Sequence, residues 1–357
     1  MAITMDDIAK RVGVSKVTVS RVLSNNNSHI PISENTRQKV LEAVKELNYQ
    51  PNYLAQSLRS GKRYSIGVAS SGNPHLLYDP WLDAYYQGVS EVLAEKEYAM
   101  SFLPQGTKSI EEMLVRVSQS KMVDGLIILV YAHYYADFID SALPKLHATG
   151  LPFVVIHSCN KPFSCHNVCL DSVAIGEIAA KHLLEQGYDK VGFLYLDHLQ
   201  VEQFYKGYER VILEAGKRPV KVNVGPGLTD HSENDGYTFG QELVKNKNLA
   251  DAYVVSTDHF AQGMLYALRE AGIEVPGKVG LVACNNATVN AHRVTELTTI
   301  DRQGVVRARK AAEILFDVIE KKGIKEGEFI SHLEQPELII RNSSLRSRSE
   351  DRGPRTE

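Results

Sequence analysis

The chain has 357 residues, is 43% hydrophobic and carries a net charge of −3; that length suggests about two or three domains. The hydrophobic share is ordinary for a soluble globular protein, and no apolar run approaches the roughly 20 residues needed to cross a bilayer. No apolar secretory segment opens the sequence, so a cytoplasmic protein with no membrane partner is expected, its cysteines (Cys159, Cys165, Cys169, Cys284) held as reduced thiols. Charge is spread unevenly: residues 1–63 hold ten Lys/Arg against five acids, +5, leaving −8 for the remainder. A basic head on an acidic body points to a polyanion as the partner of the head.

The first two dozen residues carry the sharpest pattern. In TMDDIAKRVGVSKVTVSRVLS, apolar or small residues fall at Ile8, Ala9 and Val12, then at Val17, Val19, Val22 and Leu23. This spacing predicts two short amphipathic helices. Gly13 suits the sharp turn between them, because glycine accepts positive φ without strain. Thr4 is placed to cap the first helix, with Asp6 and Asp7 in its first turn, and Ser15 to cap the second. Two such helices and a glycine turn read as a helix-turn-helix. The second helix turns Ser15, Lys16, Val17, Thr18, Ser20 and Arg21 outward, a face suited to base edges near its start and to phosphates beyond. The plainer alternative is a helical hairpin with a solvated polar face.

Residues 24–32 form a turn-rich loop by composition. A third helix is predicted from an N-cap at Ser33 to about Leu47, its stripe of Val40, Leu41, Val44 and Leu47 covering the first two. Between Pro51 and Gly61 lies one short helix, below the length at which isolated helices persist in water, which a dimer partner and DNA together would order. From Tyr64 the texture changes to alternating strands and helices. Strands are expected at 65–69, 100–103, 125–130, 153–156, 168–170, 191–195, 252–256, 279–284 and 298–300. Helices are expected at 81–96, 110–120, 136–148, 172–186, 202–215, 233–246, 259–271 and 305–321. Apolar strands alternating with helices mean doubly wound parallel sheets, and this stretch is long enough for two lobes with a ligand cleft between them. The predicted organisation is thus an all-α helix-turn-helix head at 1–48, a hinge helix at 49–61, a two-lobed α/β core at 62–342 and a disordered polar tail at 343–357.

DIAKRVGVSKVTVSRVL, SENTRQKVLEAVKELNYQPN and AQSLRS, followed by VDGLII, HLLEQGY, STDHFAQGMLYALREAGIEVPGKVGLVACNN and LTTI, resemble the lactose/galactose repressor family. The resemblance runs to about Asn342. It implies a homodimer that binds palindromic double-stranded operator DNA, and a core like the periplasmic sugar-binding proteins, whose cleft holds a small effector that changes operator affinity. It implies that Lys16 and Val17 read bases, with Arg21 completing that face. Thr4, Ser15, Thr18, Ser20, Tyr49, Asn52 and Gln56 join the DNA-contacting set, and Leu58 matches the hinge leucine that wedges into the minor groove. The polar tail lacks leucine heptads, so a dimer is expected rather than a tetramer.

The effector positions depart from the family pattern. His157 stands where an Asp usually follows the strand VVI, Phe204 where an Arg usually precedes x-x-Gly-Tyr, and Asn285 where GxD usually ends the VGLV strand. Asp258, in the STD turn, keeps the common type. These exchanges predict a less charged, more aromatic site and a neutral effector, a sugar or sugar-like molecule. Tyr78, Trp81, Tyr131, His133, His231 and Arg302 complete the candidate set from their strand-end positions.

Five potential metal ligands crowd into His157, Cys159, Cys165, His166 and Cys169, but the spacing is not that of a standard zinc site, and no metal or other cofactor is expected. No P-loop, G-x-G-x-x-G or G-x-S-x-G motif appears, so no enzyme is expected. The competing reading is a sugar-binding or enzymatic α/β module with an incidental DNA-binding head.

Overall fold

A computed structural model describes residues 3–23, 32–49, 57, 61–71, 82–103, 109–131, 134–158, 163–196, 199–225, 228, 232–247, 249–287, 296–322 and 327–346. The chain divides into two compact units, Met1–Arg63 and Tyr64–Glu357.

Among its described residues the first unit has three helices, α1 (Met5–Val12), α2 (Lys16–Leu23) and α3 (Glu34–Glu46). The Thr4 N–H and hydroxyl both donate to the Asp7 carboxylate, at 2.9 and 2.7 Å, and these two bonds hold that carboxyl below its usual pKa. Gly13 ends α1 with φ 74°, the left-handed turn expected of it. The Ser15 hydroxyl accepts from the Thr18 N–H at 3.1 Å, and Ser33 accepts from the Thr36 N–H at 3.2 Å. Each such cap is worth about 1 kcal/mol. Ile8, Ala9, Val19, Val22, Val40, Ala43 and Tyr49 make the buried core.

The second unit holds two six-stranded sheets of matching order. In the first lobe, β1 (Ser65–Ser70), β2 (Ala99–Phe102), β3 (Gly125–Leu129), β4 (Phe153–His157), β5 (Asn167–Leu170) and β11 (Ser331–Glu334) lie in the order β11-β5-β4-β3-β1-β2. In the second, β6 (Val191–Tyr195), β7 (Val220–Asn223), β8 (Ala252–Val254), β9 (Gly280–Cys284), β10 (Thr298–Asp301) and β12 (Glu337–Ile339) lie in the order β12-β10-β9-β8-β6-β7. All pairs are parallel except β10 with β12. The central strands β3, β4 and β9 are buried along their whole length, because helices cover both faces of each sheet.

Helices α4 (Asp83–Lys96) and α12 (Gly304–Ile319) cover one face of the first sheet. The other face is covered by α5 (Ile110–Ser120), by α6 (Tyr135–Asp137) and by α7 (Leu143–Thr149). Between α6 and α7 the predicted single helix widens into a π turn, Phe138–Ala142. Pro144, in the first turn of α7, has no N–H to donate one turn back, and the wider turn accommodates that loss. The second sheet is sandwiched by α8 (Ser172–Glu185) with α9 (Leu199–Glu214) and by α10 (Glu233–Lys245) with α11 (Asp258–Glu270). The chain crosses between lobes three times, after β5, after β10 and after β11.

The predicted strands are all present to within a few residues, but β7, β11 and β12 were not anticipated. The boundary expected at residue 343 is also corrected. Asn342–Ser344 form a 3-10 turn in which Ser343 and Ser344 are fully buried. Ser343 donates to the Leu281 carbonyl at 2.7 Å, and Ser344 sits 2.6 Å from the Thr298 hydroxyl and 2.7 Å from Nε2 of the buried His182. These contacts make residues 343 and 344 part of the second lobe rather than of a tail.

Glycines set how closely the helix pairs approach. A Cβ at Gly207 of α9 would lie 1.9 Å from the Val173 carbonyl oxygen of α8, and one at Gly176 would lie 1.8 Å from that of Phe204. Gly207→Ala should therefore destabilise the core by about 1–3 kcal/mol in urea unfolding, the usual cost of overpacking; unchanged stability would show that the pair separates freely. Burial lowers the His182 pKa from 6.5, so the folded protein keeps the ring neutral where the unfolded chain takes up a proton. Its contribution is complete above that value and is lost as pH falls below it. The urea midpoint should drop between about pH 7.5 and about pH 5.5, and His182→Gln should flatten that dependence.

Candidate functional site

In the head, α2 turns outward the face expected of it. Val17 is 67% exposed, the highest value among the exposed large hydrophobic side chains of the described residues, while Val19 and Val22 of the same helix are buried. Lys16 is exposed beside it, and its Nζ donates to the Asp6 carboxylate of α1 at 2.7 Å. Ser15 and Thr18 are joined through their hydroxyls at 2.9 Å, and Ser20 and Arg21 are half-buried along the same helix. Two candidates have structural duties, Thr4 on the surface and Tyr49 beneath it. The Thr4 hydroxyl is engaged by Asp7, and Tyr49 is only 7% exposed, packed into the three-helix core. Asn52, Gln56 and Leu58 lie outside the described residues.

In the core, the carboxyl ends of both sheets converge on the crossover after β10. Arg302 stands there, with Nη2 donating to Ser158 Oγ at 2.8 Å, just past β4 of the first lobe. Its Nη1 donates to Asn285 Oδ1 at 3.2 Å, just past β9 of the second lobe. The side-chain oxygen of Gln200, in the first turn of α9, accepts from Nη1 at 3.1 Å and also from Nη2. Asn285 holds φ 113°, a left-handed conformation that turns its amide toward the crossover.

Beneath this cluster lies Arg307, in the first turns of α12 and fully buried. Its Nε donates to the Arg302 carbonyl at 2.9 Å, Nη1 to the His157 carbonyl at 3.2 Å, and Nη2 to the Tyr85 hydroxyl. Burial pushes its pKa below the ordinary arginine value; the neighbouring Tyr85 works against this and Arg302 adds to it. Arginine stays charged regardless.

The other candidates are placed as follows. His157 is 2% exposed, stacked on Phe163 with ring centroids 4.2 Å apart, its Nε2 3.3 Å from Asn167 Oδ1. Asp258 is 1% exposed and accepts from the Thr299 hydroxyl at 2.6 Å and the Ala287 N–H at 2.7 Å. Tyr131 follows β3, its N–H donating to Ser71 Oγ at 3.0 Å. Phe204 is 3% exposed and belongs to the hydrophobic core of the second lobe, so its ring packs where the family pattern would have an arginine. Tyr78, Trp81, His133 and His231 lie outside the described residues. Sequence reasoning missed Ser158, Gln200 and Arg307. Only the last left a signal, a charged residue one turn before Ala311 and two before Leu315 on the apolar stripe of its helix.

Cys159 of the Cys/His cluster lies outside the described residues, and the members that are described do not converge. His166 Nδ1 accepts from the Ile330 N–H at 3.1 Å, and the Cys169 thiol donates to the His332 carbonyl at 3.3 Å. Cys165 is buried in an apolar cluster that pushes its thiol pKa up to about 12. Among the described residues, no group of three or more Cys, His, Asp or Glu is arranged to hold a metal ion. Among them, too, no helix is long and apolar enough to cross a membrane.

Comparison with known proteins agrees with both halves. Residues 4–52 match the family model for bacterial regulatory proteins of the lacI family, and residues 180–344 match the periplasmic binding protein-like domain. The chain is 30% identical over 353 residues to the HTH-type transcriptional repressor PurR of Haemophilus influenzae, covering 95% of this chain and 98% of that one. It is 27% identical to the HTH-type transcriptional regulator RegA of Clostridium saccharobutylicum, covering 97% and 100%. Among solved structures, the lac repressor dimer bound to operator and an anti-inducer superposes with a TM-score of 0.75 at 21% identity, covering 97% of this chain and 100% of that chain. This chain belongs to the lacI family of bacterial regulatory proteins.

Proposed function

We infer that the protein is a transcriptional repressor that acts in the cytoplasm as a homodimer, binds a palindromic operator through its two heads, and changes its hold when a small effector occupies the cleft. It is not read as an enzyme. The observation that carries this reading is the exposed Val17 beside Lys16 at the start of α2. A valine left in water gives up the burial its neighbours Val19 and Val22 gain, and a thymine methyl in the major groove returns an apolar contact. Lys16 is positioned to donate to guanine O6 or N7 once the duplex replaces Asp6 as its partner. Ser15, Thr18, Ser20 and Arg21 flank this pair as phosphate ligands. Asn52, Gln56 and the hinge Leu58 extend the same interface in this reading.

The relatives support each part. The Haemophilus influenzae relative is named a repressor, and the lac repressor structure is a dimer on its operator. Two further neighbours of the fold hold a sugar, cellobiose in one and ribose in the other. For this chain a carbohydrate-sized effector is accordingly proposed. Arg302, Asn285 and Asp258 stand at its strand ends, and His157 and Phe204 support the walls from within.

Gel-shift with a palindromic duplex carrying a central CG step tests the reading. Binding should weaken by about 10³-fold or more between 50 and 200 mM salt, because phosphate contacts release counterions. Lys16→Ala should relax discrimination at one base pair per half-site by about 1–3 kcal/mol and leave the other positions unchanged. Leu58→Ala should weaken operator binding while effector affinity of the core stays as it was. Sequence-independent binding by wild-type protein, or equal loss of both affinities in Leu58→Ala, would overturn the assignment.

A further inference from the structure

The floor of the cleft carries donors that lack acceptors. Two buried nitrogens there have no hydrogen-bond partner among the described residues, Nε of Arg302 and Nδ2 of Asn285. They belong to side chains already in contact, since Arg302 Nη1 donates to Asn285 Oδ1. Buried polar groups in folded proteins are nearly always paired, so two orphans on side chains that touch mark a place where something else accepts. The rest of the guanidinium is met by neutral atoms only, the hydroxyl of Ser158 and the amide oxygens of Gln200 and Asn285.

The charge is equally unmet. Among the described residues no carboxylate forms an ion pair with Arg302 or with Arg307. Nearby acids have other partners. Asp301 accepts from the Gln303 N–H and the Asn286 amide, Asp258 from Thr299 and Ala287, and Asp171 from the Ala174 N–H. Two guanidinium cations therefore stand together where the lobes join, one buried outright and one with an unpaired Nε.

We propose that the effector carries an anionic group, a carboxylate or a phosphate, which Arg302 receives at its unpaired Nε, with the Asn285 amide supplying a second N–H. This rests on the reading of the chain as an effector-controlled regulator and adds the charge of the effector to it. It replaces the neutral effector expected from His157, Phe204 and Asn285. Those exchanges remove an arginine from α9, but the cation reappears on the crossover after β10. An oxyanion accepts several N–H groups at once and cancels the charge. A sugar hydroxyl fills one donor and leaves the guanidinium uncompensated. A sugar acid and a sugar phosphate both meet this chemistry.

The test is titration of the full-length protein with sodium phosphate and, separately, sodium acetate, against sodium chloride at equal ionic strength, read by thermal unfolding and calorimetry. Saturable stabilisation is expected from at least one oxyanion and not from chloride; which of the two binds tighter separates phosphate from carboxylate. Arg302→Gln should weaken that binding at least about tenfold, Asn285→Ala should weaken it less, and Arg302→Lys should fall between wild type and Arg302→Gln. Unfolding of each variant without added anion shows that it is folded, and retention on heparin shows an intact head. The proposal is overturned if neither oxyanion stabilises beyond chloride, or if Arg302→Gln and Arg302→Lys bind them as wild type does. Either failure leaves operator binding untouched, because the gel-shift that tests the regulator reading contains no effector.

Discussion

The guanidinium of Arg307 ties together the three segments on which the two-lobed core depends. It reaches the last carbonyl of β4, the backbone of the crossover after β10 and the hydroxyl of Tyr85 on α4. A cation buried without a counter-ion is tolerated only when it is well hydrogen-bonded, and here two carbonyls and a phenol take one bond from each of its three nitrogens. The same bonds fix where β4 ends and where α12 begins, and so where Ser158 and Arg302 face each other. The position of the cleft groups thus follows from a residue that does not itself line the cleft.

Most of the fold was legible in the sequence because its signals are local. The helix-turn-helix rests on apolar spacing, a glycine and two caps, all within two dozen residues. The buried central strands read as short apolar runs bounded by turns. The strands that escaped notice are edge strands. In β7 and β11 exposed and half-buried residues alternate, so Val220–Asn223 and Ser331–Glu334 are nearly as polar as loops. Strand β12 is three residues long and its pairing partner, β10, is remote in sequence. The π turn before α7 was missed because periodicity in the sequence registers the helix but not a local widening.

The candidate sites divide along the same line. The outward face of α2 could be read because a helix declares which positions point away from its core. In the cleft, the family pattern identified Asn285 and Asp258 as strand-end positions, but not what each side chain would touch. His157 is stacked beneath the surface, and Phe204 packs inside the second lobe. Ser158 and Gln200 acquire meaning only from their distance to Arg302, a relation between residues more than a hundred positions apart. No spacing rule reports contacts of that range.

The threefold passage of the chain between lobes has a consequence for how the molecule is made. The first lobe is not finished when its fifth strand emerges from the ribosome. Its covering helix α12 and its edge strand β11 follow only after the first five strands of the second lobe have been synthesised. Until then the face of the first sheet that holds Ile127, Val154 and Ile156 lacks the alanine-rich surface of Ala308, Ala311 and Ala312 that closes it. An apolar sheet face waiting on late segments invites intermolecular pairing, and closures over such long chain separations are slow. The nascent protein is therefore most exposed to aggregation, and most in need of chaperones, in the interval before α12 arrives.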